Sequence, residues 1–90
     1  METTTDPLIA TIATLIAKFT PPEYQNVALM PATHLVDDLG IDSARMIDIV
    51  LDVEDSFHIT VEDQEINKTR TFTDLVELVQ LKTRANGAKG

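Results

Sequence analysis

Apolar residues fall into three runs of helical spacing, separated by stretches without a period. Leu8, Ile9, Ile12, Leu15, Ile16 and Phe19 share one face of a helix, with Thr11, Thr14 and Lys18 on the other. Asp6-Pro7 marks its start, because Asp caps free amides and Pro tolerates the first helical position. Thr20-Pro21-Pro22 ends it, since neither proline donates a backbone hydrogen bond. Met46, Ile49, Val50, Val53 and Phe57 predict a second helix over 43–57. Phe72, Leu75, Val76 and Val79, flanked by Leu78, predict the last helix. Thr71 is its expected N-cap, with Asp74 three residues on as a shortened capping box.

Between these runs, residues 62–67 read as a short helical turn. Residues 21–42 show no period, and a loop of that length is usually functional or pinned by its own side chains. Val27, Leu29, Met30, Leu35 and Leu39 are the expected pins, and Gly40 the expected turn. No segment alternates as a strand would. The pattern predicts a small all-helical bundle, one domain over 6–82, with flexible termini at 1–5 and 83–90.

The charge is uneven. The chain carries 15 acidic and 7 basic residues, a formal net charge of −8. Residues 37–65 hold ten acids and a single base, Arg45, so this segment accounts for the whole imbalance. Such a surface repels phosphate backbones and anionic headgroups, which argues against nucleic acid and membrane surfaces and for partners with basic patches. The uncharged run at 7–17 is shorter than the ~20 apolar residues of a membrane span, so no stable membrane insertion is expected. Glu2 and Asp6 stand where a secretory signal would be positive. A cytoplasmic monomer is the expectation. No cysteine is present, so the chain has no thiol nucleophile or thiolate metal site of its own.

The second helix works against its own stability. Asp48 faces Asp52, Asp52 faces Asp55, and Glu54 and Asp55 lie at the dipole's negative end. Arg45, three residues before Asp48, is the one expected compensating contact. Ala44, Ile47, Asp48, Leu51, Glu54 and Asp55 share the face opposite the apolar stripe, an apolar centre with a charged rim suited to transient docking.

The run Asp38-Leu39-Gly40-Ile41-Asp42-Ser43, opening this acidic helix, resembles the prosthetic-group site of acyl carrier proteins. The likeness continues through Val53-Glu54-Asp55-Ser56-Phe57-His58-Ile59 and Thr71-Phe72-Thr73-Asp74-Leu75-Val76. The resemblance implies a four-helix bundle with a long first loop and a short third helix. It implies a non-catalytic chain in which 4′-phosphopantetheine, taken from coenzyme A, is joined to Ser43 and holds acyl groups as thioesters. Asp42 would help a phosphopantetheinyl transferase recognise the site. Further partners would be acyl-loading, acyl-modifying and acyl-transfer enzymes with basic docking patches. The chain departs from the family pattern at Ala44, where leucine is common, and at Arg45, where a polar or acidic residue is usual. Both departures point to a carrier dedicated to a particular lipid or secondary-metabolite pathway.

Other readings stay open at this level. An aminoacyl or peptidyl carrier shares the serine and the arm. An unmodified acidic interaction module, with Ser43 as an ordinary helix cap, would share the face. A calcium loop started at Asp38 fails, because Ser43 stands at the turn glycine and Ile49 at the bidentate glutamate. His34 and His58 are too far apart in sequence to suggest a metal pair. A serine hydrolase lacks the G-x-S-x-G elbow. No histidine neighbours Ser43 in sequence, so its activation falls to a separate transferase.

Overall fold

A computed structural model describes residues 7–88, with side chains described to Arg84. The expected cap at Asp6, the terminus 1–5 and residues 89–90 lie outside the described residues. Four α-helices form a bundle: α1 (Pro7–Phe19), α2 (Ser43–Phe57), α3 (Asp63–Lys68) and α4 (Phe72–Ala88). A single 3-10 turn, Pro22–Tyr24, lies in the long first connection.

α1 packs on α2 and α4, and α2 on α4. Ile12 and Ile16 of α1, Ile49 and Val53 of α2, and Leu75 and Val79 of α4 are fully buried at the centre. Each such aliphatic side chain contributes about 1.5–3 kcal/mol through removal from water. Phe57 stays half-buried, packed on the edge of this core. The carbonyls freed at the end of α1 are met locally. Thr20 Oγ1 donates to Ile16 O at 2.7 Å, and Gln25 Nε2 donates to Thr20 O at 2.7 Å and Ala17 O at 3.1 Å.

The long loop is pinned by Leu35, Leu39 and Ile41, all buried. Leu29 packs against the core in part. Val27 and Met30, expected as pins, are 40% and 57% exposed. Hydrogen bonds fix their segment instead: Met30 N–H donates to Thr33 Oγ1 at 2.8 Å, and Thr33 Oγ1 donates to Ala28 O at 3.1 Å. The loop then bridges to the start of α4. An isolated antiparallel bridge joins His34 to Thr71, with Leu35 N–H on Arg70 O at 2.8 Å and Phe72 N–H on Thr33 O at 2.9 Å. No strand pattern announced this bridge.

The expected capping box at α4 is formed: Asp74 N–H donates to Thr71 Oγ1 at 3.1 Å, and Thr71 N–H to Asp74 Oδ2 at 3.1 Å. Arg70 N–H adds a second bond to Asp74 Oδ2 at 3.0 Å. α4 then runs six residues beyond the predicted boundary, so 83–88 are helical rather than a flexible tail. Lys82 Nζ lies 2.9 Å from Glu65 Oε1 and ties this part of α4 to α3. α3 starts one residue late, at Asp63, after the Glu62 N–H bonds Glu65 Oε1 at 2.9 Å.

Candidate functional site

The site begins at the turn into α2. Gly40 has φ +66°, a left-handed conformation, and the Tyr24 ring lies where a Cβ would stand. Gly40 N–H bonds Val36 O at 2.9 Å, and Ile41 N–H bonds Leu35 O at 3.2 Å. Buried Ile41 then fixes the entry of the chain into the helix, leaving Asp42 and Ser43 exposed at its end.

Asp42, not Ser43, is the N-cap. Its Oδ1 accepts from Arg45 N–H at 2.9 Å, and its Oδ2 lies 3.2 Å from the Arg45 guanidinium. The Arg45 side chain thus turns back to Asp42 and does not offset Asp48, as its spacing had led us to expect. Ser43 is the first residue of α2, and its hydroxyl makes no hydrogen bond among the described residues. A role as helix cap is therefore taken by its neighbour. The positive end of the 15-residue α2 dipole favours an anion at this place.

A groove of about 370 Å3 opens beside Ser43. Val36, Met46, Ile47 and Ile66 give it apolar walls, and His34, Asn67, Thr69 and Arg70 add polar groups. His34 is thus brought to the groove that Ser43 lines, although they stand nine positions apart in the chain. His34 Nδ1 accepts from Asp37 N–H at 3.1 Å, which puts the ring proton on Nε2 and makes that atom a donor. The residues present suit a phosphodiester on Ser43: an exposed hydroxyl, a helix N-terminus and an adjoining groove.

Ala44, Ile47, Asp48, Leu51 and Asp55 are all exposed on α2. Ile47 and Leu51 are the large apolar members, 46% and 55% exposed. Glu54 differs. It is half-buried, and its Oε2 accepts from Val61 N–H at 2.8 Å, so it ties α2 to the connection before α3. Asp52, expected to repel its neighbours, pairs with Lys18 of α1 at 3.2 Å. Two carboxylates outside α2, one in α3 and one in α4, are held under their ordinary range. Glu65 is lowered by the Glu62 amide and by Lys82, Asp74 by the amides of Arg70 and Thr71. Sequence reasoning missed His34, Asn67 and Arg70, whose meeting depends on the bridge between loop and α4.

Comparison with known proteins shows the family and the fold. Residues 10–79 match the family model described as a phosphopantetheine attachment site. An acyl carrier protein of Desulforapulum autotrophicum is 33% identical over 55 residues, covering 61% of this chain and 71% of that one. A meromycolate extension acyl carrier protein of Mycobacterium leprae is 34% identical over 80 residues, covering 89% of this chain and 68% of its own. The crystal structure of an acyl carrier protein from Thermotoga maritima superposes with a TM-score of 0.71 at 29% identity, covering 87% of this chain and 88% of that one. Among the described residues, no helix is long and apolar enough to cross a membrane.

Proposed function

The chain belongs to the acyl carrier protein family, non-catalytic carriers with a phosphopantetheine attachment site, and on that premise we propose that Ser43 is the attachment residue of a carrier serving a specialised lipid pathway. The observation that carries the assignment is the division of labour at the start of α2: Asp42 caps the helix, while the Ser43 hydroxyl stays exposed and unbonded beside a groove. When joined to Ser43, the arm supplies a terminal thiol that holds acyl groups as thioesters.

The chain's own residues do the rest. Ser43 presents its oxygen at the positive end of α2, where an attached phosphodiester is stabilised. Arg45 offsets the Asp42 charge that would otherwise repel that anion. The hydroxyl, a weak nucleophile, depends on a phosphopantetheinyl transferase for its activation. Asp42 marks the site for that enzyme. Ala44, Ile47, Asp48, Leu51 and Asp55 form the surface on which basic partners dock, and residues 6–82 work as the carrier domain, a cytoplasmic monomer. The specialised pathway is supported by Ala44 and Arg45 and by the meromycolate extension carriers, which align with 89% of the chain.

The test is intact mass after incubation with coenzyme A, magnesium and a broad-specificity phosphopantetheinyl transferase. The native chain gains one phosphopantetheinyl group, and Ser43→Ala gains none while keeping its helical signal. A gain on both chains overturns the assignment of Ser43. No gain on either, with the transferase active on another carrier, points instead to an unmodified acidic interaction module.

A further inference from the structure

The turn that leads toward α2 is closed by a histidine. His34 Nδ1 accepts from Asp37 N–H at 3.1 Å, and in return His34 N–H donates to Asp38 Oδ2 at 2.7 Å. Asp38 N–H completes the turn on His34 O at 2.9 Å. Buried Leu35 and Leu39 and the bridge from His34 to Thr71 anchor it. Gly40, Ile41 and Asp42 then carry the chain into α2. Serine, threonine, asparagine or aspartate would accept from such an amide at any pH near neutral. Imidazole accepts only while neutral, because both its nitrogens are donors once it is protonated. Histidine is also the side chain that changes charge between about pH 5 and 8.

Asp37 offers the same ring nitrogen a partner for either state. Its amide donates to the neutral ring, and its carboxylate Oδ2 lies 3.7 Å from Nδ1, within reach of the proton that an imidazolium carries there. We propose that His34 is a proton-sensitive cap. Neutral, it holds the Asp37 amide and closes the turn; protonated, its Nδ1–H swings to the Asp37 carboxylate and the amide is released. The ring is 29% exposed, so protons reach it from solvent. Asp37 and Asp38 are the acids facing it from its own loop, and Arg70, across the bridge, is the base on its other side. Toward this side α2 contributes Ser43, Met46 and Ile47 and α3 contributes Ile66 and Asn67, none of them charged. At the start of α4, Asp74 already accepts from the amides of Arg70 and Thr71. Proton uptake at one ring therefore loosens the stretch of loop that precedes Ser43.

The test follows the full nitrogen-15-labelled chain by NMR from about pH 8 to about pH 5. At the upper end a scalar coupling through the hydrogen bond joins the Asp37 amide nitrogen to His34 Nδ1, and it vanishes as the ring protonates. Over the same range the Asp37 amide, corrected for its intrinsic pH dependence, loses protection from exchange by about fivefold, the size of one hydrogen bond. His34→Ser, with a hydroxyl that accepts at either pH, keeps the protection constant, and His34→Ala lacks it throughout. Asp37→Asn, which keeps the amide and removes the carboxylate, weakens proton binding at His34 by about twofold, the size of an exposed ion pair. Absence of the coupling at the upper end, or protection unchanged through the titration, overturns the inference. An equal loss in His34→Ser, or an unaltered proton affinity in Asp37→Asn, overturns it as well. None of these outcomes bears on Ser43 as the attachment residue, which the mass measurement tests by itself.

Discussion

Two residues next to the site show how little tolerance it has. At Gly40, φ +66° and a Tyr24 ring atom 2.5 Å from the ideal Cβ position leave no room for a side chain. Gly40→Ala is expected to cost at least ~1–2 kcal/mol from the left-handed backbone alone, read as a lower urea midpoint. An unchanged midpoint would mean that the turn and Tyr24 rearrange freely. Asp74 makes a prediction about acid. Its carboxyl is held below its ordinary value by the Arg70 and Thr71 amides, so the folded state binds its proton less readily than the unfolded one. The stabilisation is present above the unfolded value, near pH 4, and is lost as pH falls through the lower folded value. Asp74→Asn should lower stability at pH 7 and flatten its decline below pH 4. A parallel decline in both proteins would remove Asp74 from the acid response.

Among the elements, Glu54 ties α2 to the connection that precedes α3. Glu54 accepts from Val61 N–H at 2.8 Å, a charge-assisted bond across the turn that ends α2. Glu54→Ala should cost about 1–2 kcal/mol and speed amide exchange at Val61 more than in the middle of α1. Uniform exchange changes would argue that the bond is incidental. The sequence carried α1, α2 and the start of α4 clearly, because burial imposes its period on Ile12, Ile16, Ile49, Val53 and Leu75. It also carried the Thr71–Asp74 cap, since that signal is local. The loop was legible only in part. Leu35 and Leu39 are buried but Val27 and Met30 are not, and Ile41 went unmarked, because long-range hydrogen bonds rather than a period decide which side chains turn inward. The length of α4 was hidden for a similar reason: Lys82 finds Glu65 only once α3 is in place.

Over the whole molecule, charge and groove follow from different distances in sequence. The acidic face of α2 lies within one helix and could be read directly. The docking role proposed for it makes a prediction about rate: Asp48→Lys with Asp55→Lys should slow phosphopantetheinylation several-fold at low salt, with the difference shrinking as salt screens the encounter. An unchanged rate would remove electrostatic docking on this face. The groove was not legible, since its walls come from 34–36, 43–47 and 66–70, segments joined through the His34–Thr71 bridge. Ser43 could be found from its motif; its surroundings could not.

Asp42 caps α2 and leaves Ser43 outside the hydrogen bonds that hold the helix. Attaching the arm therefore breaks none of those bonds, and its phosphodiester gains the positive end of α2. The armed chain should melt no lower than the bare one, and a transferase that adds the arm meets a helix already capped without the serine.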